Sequence, residues 1–300
     1  MKHILLFGKD GQVGYELQRA LPASVRITAF GSSEVNLCDE VQLRAAVRAA
    51  QPDVILNAAA YNAVDRAETD QATAMAVNAR APGVLAEEAY QLGAWLVQYS
   101  TDYVFDGAKG RPYVETDRVA PLNVYGRSKL AGEQRIQEVG GRYLILRTSW
   151  VYSTRRDSFL NKVLDWAQRY PVLRIVEDQV GSPTWCRMLA ETTRALLAVC
   201  TVGPASVTEG FAGVYHVAGT GSASRYAWAR EIVRLDAARR GVTPPEVVPV
   251  TSDAFPLPAV RPAFSGLDCS RVQEVFGLSL SDWRHNLRRA LVEEPAGSVS

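Results

Sequence analysis

Short apolar runs alternate with amphipathic helical stretches through the first half of the chain, and a glycine-rich turn stands at the first junction. His3–Phe7 reads as a strand, residues 8–14 as the turn Gly-Lys-Asp-Gly-Gln-Val-Gly, and Gln12–Ala20 as a helix. The rhythm continues with strand Val25–Phe30, helix Glu40–Ala50 with Asp39 as its N-cap, and strand Val54–Asn57. An alanine-rich helix Thr69–Leu92, strand Trp95–Ser100, helix Leu122–Glu138 and strand Tyr143–Thr148 follow. Such alternation calls for a parallel sheet with helices on both faces. Strands that are apolar throughout, rather than at every second residue, belong where both faces are buried. The expected fold class is therefore α/β, a Rossmann-type doubly wound parallel sheet.

After Trp150 the alternation loosens. Phe159–Arg169, Trp185–Val199, Ser224–Asp236 and Asp282–Leu291 read as helices, and Leu173–Val176, Val214–Val217 and Val247–Val250 as strands. Six prolines between Pro244 and Pro262 mark that stretch as loop rather than core, and the polar C-terminal tail reads as disordered. The expected division is a dinucleotide-binding domain over 1–150, with some later segments returning to it, and a smaller α/β substrate lobe over 151–300.

Composition removes several classes. The net charge of +1 offers no field for nucleic acid or an anionic membrane. Cys38, Cys186, Cys200 and Cys269 show no CxxC spacing, and His3, His216 and His285 are far apart, so neither a disulfide framework nor a metal site is expected. The apolar run Ile4–Phe7 is too short for a signal peptide, and no stretch suits a membrane span, which points to the cytoplasm.

In the glycine turn, Gly8, Gly11 and Gly14 form GxxGxxG between a strand and a helix. Glycine lets backbone approach a pyrophosphate, which then rests on the helix N-terminus beside Gln12 and Val13. The spacing alone is weak; its place at the head of a βαβ series makes it a dinucleotide site. Ala58, Ala59 and Ala60, after the third strand, are small enough for the cofactor to lie against them. The second strand ends Phe30-Gly31-Ser32-Ser33 without the acid that binds ribose hydroxyls in NAD sites. Its absence removes repulsion of a 2′-phosphate, so NADPH is favoured, with NADH left open. Cys38 and Asp39 are placed near the adenine.

Tyr125 and Lys129 are one helical turn apart. A free phenol titrates near 10 and is a reluctant acid–base partner at neutral pH. A neighbouring ammonium is expected to lower that value. A lone YxxxK is most often a chance pair on an exposed helix. Here it follows Tyr99-Ser100-Thr101-Asp102-Tyr103, where a strand ends and a hydroxyl can reach a substrate carbonyl. Dinucleotide loop, strand-end Thr101 and YxxxK in this order describe a hydride-transfer site.

These motifs resemble the extended short-chain dehydrogenase/reductases. Seven segments in order are similar to the dTDP-4-dehydrorhamnose reductase family: GKDGQVGYELQRAL, PDVILNAAAYNAVDRAE, YSTDYVFDG, PLNVYGRSKLAGE, LRTSWVY, DQVGSPT and RPAFSGLD. The resemblance implies NAD(P)H-dependent reduction of the C4 ketone of dTDP-4-dehydro-L-rhamnose, the last step of dTDP-L-rhamnose synthesis. It makes Tyr125 the proton donor and gives Lys129 the nicotinamide ribose. It puts Thr101 and Asp102 on the sugar, packs Trp150 against it, and brings Ala60, Tyr61 and Asn62 to the cofactor. Arg187 and Arg261 are the candidates for the diphosphate, with a plain surface arginine as the competing reading. Phe264 stands where the family often has Asn. Some members bridge subunits through magnesium held by glutamates. Glu16 fits one such position, but Arg187 stands near another, so no metal is assigned and the chain is expected as a monomer or homodimer. The alternatives are a nucleotide-sugar epimerase or dehydratase of the same fold, and a non-catalytic regulatory subunit.

Overall fold

In the computed structural model, which describes residues 2–202 and 209–293, six strands form one parallel sheet. They are β1 (His3–Phe7), β2 (Arg26–Phe30), β3 (Val54–Asn57), β4 (Trp95–Thr101), β5 (Tyr143–Thr148) and β6 (Gly213–His216). Their spatial order is β6-β5-β4-β3-β1-β2, with every neighbouring pair parallel. The longer helices are α1 (Gln12–Ala20), α2 (Glu40–Ala50), α3 (Ala81–Leu92), α4 (Val124–Val139), α5 (Phe159–Arg169), α6 (Cys186–Cys200), α7 (Arg225–Arg240) and α8 (Trp283–Glu293).

Side chains alternate across the strands, and in β1, β3 and β4 both sets are buried. Ile4 and Leu6 pack with Leu17 of α1 and Leu189 and Leu196 of α6. Leu5 and Phe7 face the other way, onto Leu43 and Val47 of α2, Leu85 of α3 and Ile136 of α4. Continuous apolar strands are the consequence of this double burial. β1 pairs with both β2 and β3, so the strand order reverses beside it. A crevice opens at the carboxyl ends of strands at such a switch point.

The helix expected over Thr69–Leu92 is interrupted. Gln71–Met75 and α3 are α-helical, and Ala76–Arg80 between them is a π turn. The turn carries Asn78, whose side chain accepts from Tyr61 N at 2.9 Å and donates to Tyr61 O at 3.1 Å and Ser128 Oγ at 3.0 Å. A polar side chain thus ties the segment after β3 to α4; π turns commonly serve such sites. α4 begins at Val124 rather than Leu122, because the Asn123 side chain accepts from Gly126 N and caps it.

The second lobe has its own core, in which Tyr152, Trp185, Trp228 and Trp283 pack with Leu160, Leu173 and Leu287. Within the proline-rich stretch, Glu246–Val250 pairs in parallel with Val172–Val176. A two-stranded ribbon consists of edges, which is where a strand tolerates a proline such as Pro249. The expectation of a disordered tail falls on residues 294–300, outside the described residues.

Candidate active site

The crevice narrows to a cavity of about 290 Å³ between the glycine turn, the ends of β3, β4 and β5, and α4. Gly8 has φ +86°, and a Cβ there would lie 2.7 Å from Ala59 N. A Cβ on Gly14 would lie 2.0 Å from Gly8 O. The first glycine makes the turn, and the third lets α1 approach the strand. Gly11 stands at the α1 N-cap with no side-chain hydrogen bond to the helix. Gly11, Gln12, Val13, Ala58, Ala59, Ala60 and Asn62 line the cavity. Two buried atoms in its wall have no hydrogen-bond partner: Gln12 Oε1 and Thr148 Oγ1. Bare helix N–H groups, a wall of small residues and two orphaned polar atoms fit a dinucleotide. They are the residues that would hold it.

Thr101, Asp102, Tyr125, Lys129 and Trp150 meet at the same cavity. The Asn123 cap sets Tyr125 in the first turn of α4. Its phenol shares a hydrogen bond with Thr101, and its ring meets Tyr103 edge-on with centroids 5.8 Å apart. Lys129 is buried and donates to Tyr99 O at 2.6 Å. One turn further on, Glu133 is gripped by Arg147 of β5, with Nη2–Oε2 at 2.6 Å, which fixes α4 to the sheet.

The expected acidification of Tyr125 by Lys129 is not what this geometry gives. Burial pushes the phenol above its ordinary value, and the Thr101 hydrogen bond offsets only part. Burial also brings Lys129 down to about 8, against the pull of Glu133. Desolvation is the largest cause at both groups, and Lys129 is not among the charges acting on the phenol. Tyr125 therefore rests protonated, the form an acid needs.

Asp102 is buried and accepts from Thr101 at 3.2 Å, from Ser149 at 2.8 Å and from Ser265 at 2.5 Å. Burial raises its carboxyl, and the three hydroxyls counter that rise. Trp150 has φ +45°, costly for a bulky residue, and a Cβ on Gly181 would lie 2.5 Å from its ring. The tryptophan is wedged into the cavity wall against the one residue type that leaves room.

Beyond Trp150 a second groove of about 850 Å³ runs between α5 and the ribbon Val172–Val176. Phe159, Trp166, Phe255 and Leu257 form apolar walls, and Lys162, Arg174, Arg225 and Arg261 bring four cations with no carboxylate. Arg225 joins the two spaces, its guanidinium 3.7 Å from the Trp150 ring centroid.

Other sequence candidates lie elsewhere. Arg187 is not in the crevice: it pairs with Glu16 of α1 and with Glu293 of α8. Arg261 reaches the second groove but is held by Asp65 at 3.0 and 2.6 Å. Cys38 is exposed, and Asp39 caps α2 by accepting from Gln42 N at 3.0 Å; neither lines the cavity. The Tyr61 hydroxyl turns away to Asp70.

The end of β2 does hold an acid. Glu34 folds back to accept from Gly31 N at 2.7 Å and pairs with Lys9 at 2.6 Å. Its distance in sequence from Phe30 hid it. Thr148, which is paired in register with Thr101, was legible only as part of LRTSWVY. Arg225 carried no motif.

Residues 1–295 match the family model described as RmlD substrate binding domain. The dTDP-4-dehydrorhamnose reductase of Burkholderia thailandensis is 43% identical over 285 residues, 94% of this chain and 95% of that one. Its counterpart in Escherichia coli K12 is 40% identical, covering 97% of both chains. The crystal structure of dTDP-4-dehydrorhamnose reductase from Bacillus anthracis in complex with NADP superposes with a TM-score of 0.88 at 31% identity, covering 98% of this chain and all of that one. Together with the glycine turn and the Thr101–Tyr125–Lys129 cluster, these likenesses show that the chain belongs to the dTDP-4-dehydrorhamnose reductase family.

Proposed function

We propose that this protein reduces the C4 ketone of dTDP-4-dehydro-L-rhamnose to dTDP-L-rhamnose with NADPH or NADH. The observation that carries this reading is the convergence of Thr101, Tyr125 and Lys129 on one cavity beside the glycine turn, with Gln12 Oε1 and Thr148 Oγ1 left unpartnered in its wall.

The nicotinamide coenzyme, when bound, supplies the hydride to C4. Tyr125 gives the phenolic proton to O4 as charge builds there, and Thr101 holds that oxygen beside it. Lys129, close behind on α4, bonds the nicotinamide ribose and stabilises the phenolate that remains. Asp102 orients the sugar hydroxyls, its own position set by Thr101, Ser149 and Ser265. Trp150 covers the sugar face and excludes water. The apolar, cationic second groove suits the thymidine diphosphate.

Purified protein with NADPH and dTDP-4-dehydro-L-rhamnose should consume both in equal amounts and yield dTDP-rhamnose. Conversion of the sugar with no net coenzyme loss would make the protein an epimerase instead. Absence of any conversion would leave only binding.

A further inference from the structure

The second groove collects cations, and they are not equivalent. Arg261 is already neutralised by two hydrogen bonds to Asp65. Lys162 lies toward solvent and pairs with Asp157 at 3.3 Å. Arg174 is exposed. Arg225 differs from all three. Its side chain makes no hydrogen bond or ion pair among the described residues, and its guanidinium lies against rings, 3.7 Å from the Trp150 centroid and 4.9 Å from that of Phe159.

A half-buried guanidinium with no acceptor bonded to it is open to an anion that completes it. Burial brings Arg225 down to about 10, against the pull of Tyr103 and Asp102. The ring contacts leave its N–H groups without a hydrogen-bond partner among the described residues. The planar edge of a guanidinium matches two phosphate oxygens, which a lysine's point charge does not. Its location is equally specific. Arg225 touches Trp150, which lines the first cavity, and itself lines the second. A nucleoside diphosphate sugar, laid with its sugar in the first space and its base in the second, brings its pyrophosphate to this junction.

We infer that Arg225 is the residue that binds the diphosphate of the nucleotide-sugar substrate, in the place that sequence reasoning gave to Arg187 and Arg261. This rests on the proposed reductase reading, and binding measurements separate the two.

The experiment is titration calorimetry of the full-length protein with thymidine diphosphate, thymidine and NADPH, for wild type and for Arg225→Met, Arg225→Lys and Arg261→Met. Arg225→Met should weaken thymidine diphosphate by roughly 30-fold or more, the scale of a lost charge-assisted bidentate contact. NADPH affinity should stay within roughly twofold of wild type, which separates the substrate's phosphates from those of the coenzyme and reports a folded protein. Arg225→Lys should fall between the two, and Arg261→Met should cost less than Arg225→Met. If Arg225→Met proves unfolded, the Lys variant decides, because it must still bind thymidine diphosphate more weakly than wild type. Unchanged thymidine diphosphate affinity in either Arg225 variant overturns the assignment. Failure of the wild type to bind thymidine diphosphate, with NADPH binding intact, overturns the reductase reading itself.

Discussion

Lys129 donates to the backbone carbonyl of Tyr99 across 2.6 Å, at a buried position one helical turn below Tyr125. The contact anchors Lys129 to β4, and burial of the phenol leaves Tyr125 protonated at rest. The sequence pattern suggested a phenol already acidified. The structure supplies a reserved proton instead, whose release is favoured only when negative charge develops at the substrate oxygen beside it.

Replacing Tyr125 with Phe should remove that proton without disturbing the fold. The ring packs edge-on against Tyr103, and a phenylalanine preserves this contact. Turnover should fall by roughly 10²–10⁴-fold, the usual contribution of a positioned acid. NADPH affinity, read by fluorescence, should barely change. Near-normal turnover would remove Tyr125 from the mechanism.

Lys129→Met should weaken NADPH binding as well as turnover. It should also alter stability with pH in the coenzyme-free protein. The folded value of about 8 lies below the ordinary 10.5. Between them the unfolded chain holds a proton that the folded chain has released, so stability rises with pH across this window and is lost as pH falls through 8. The stake is ~3 kcal/mol for a full conversion. Urea midpoints at about pH 7 and about pH 9, roughly one unit either side of the folded value, should converge in the variant relative to wild type.

Glu34→Gln should shift coenzyme choice toward NADPH. The carboxylate sits at the end of β2, where ribose hydroxyls are read, and its pair with Lys9 blunts the cation that a 2′-phosphate would use. Removing the repulsion between exposed charges should raise the NADPH:NADH ratio of kcat/KM by roughly fivefold. An unchanged ratio would place the ribose elsewhere.

His216, at the end of β6, should make the fold acid-sensitive. Its Nδ1 lies 3.0 Å from Tyr113 O and 3.1 Å from Asp268 O, while Nε2 is buried without a partner. Burial, with Arg147 nearby, lowers the imidazole from 6.5 to about 3. The unfolded chain takes up a proton below pH 6.5 that the folded chain refuses, so this stability is present above that value and lost as pH falls. Wild type should lose about 2 kcal/mol from this group between pH 6.5 and pH 5. His216→Asn keeps an N–H donor and should show a flatter dependence over that interval by urea titration.

Much of the fold was legible because each parallel strand writes its burial into its own residues. His3–Phe7, Val54–Asn57 and Tyr143–Thr148 each carry a contiguous apolar run, and local chemistry sets their limits. The glycine turn, the Asp39 cap and the YxxxK pair are likewise short-range patterns, readable without knowing what lies opposite. Tertiary structure decided what depends on pairing across the chain. It set Arg187 against Glu16, away from the crevice, and tied Arg261 to Asp65 where it lines the second groove. It folded Glu34 back onto the end of β2, and it left Arg225 against Trp150 and Phe159 with no ion pair among the described residues. It also fixed the acidity of Tyr125 and Lys129. A sequence displays which charges stand one turn apart, whereas desolvation depends on everything packed around them, and here desolvation is the larger effect.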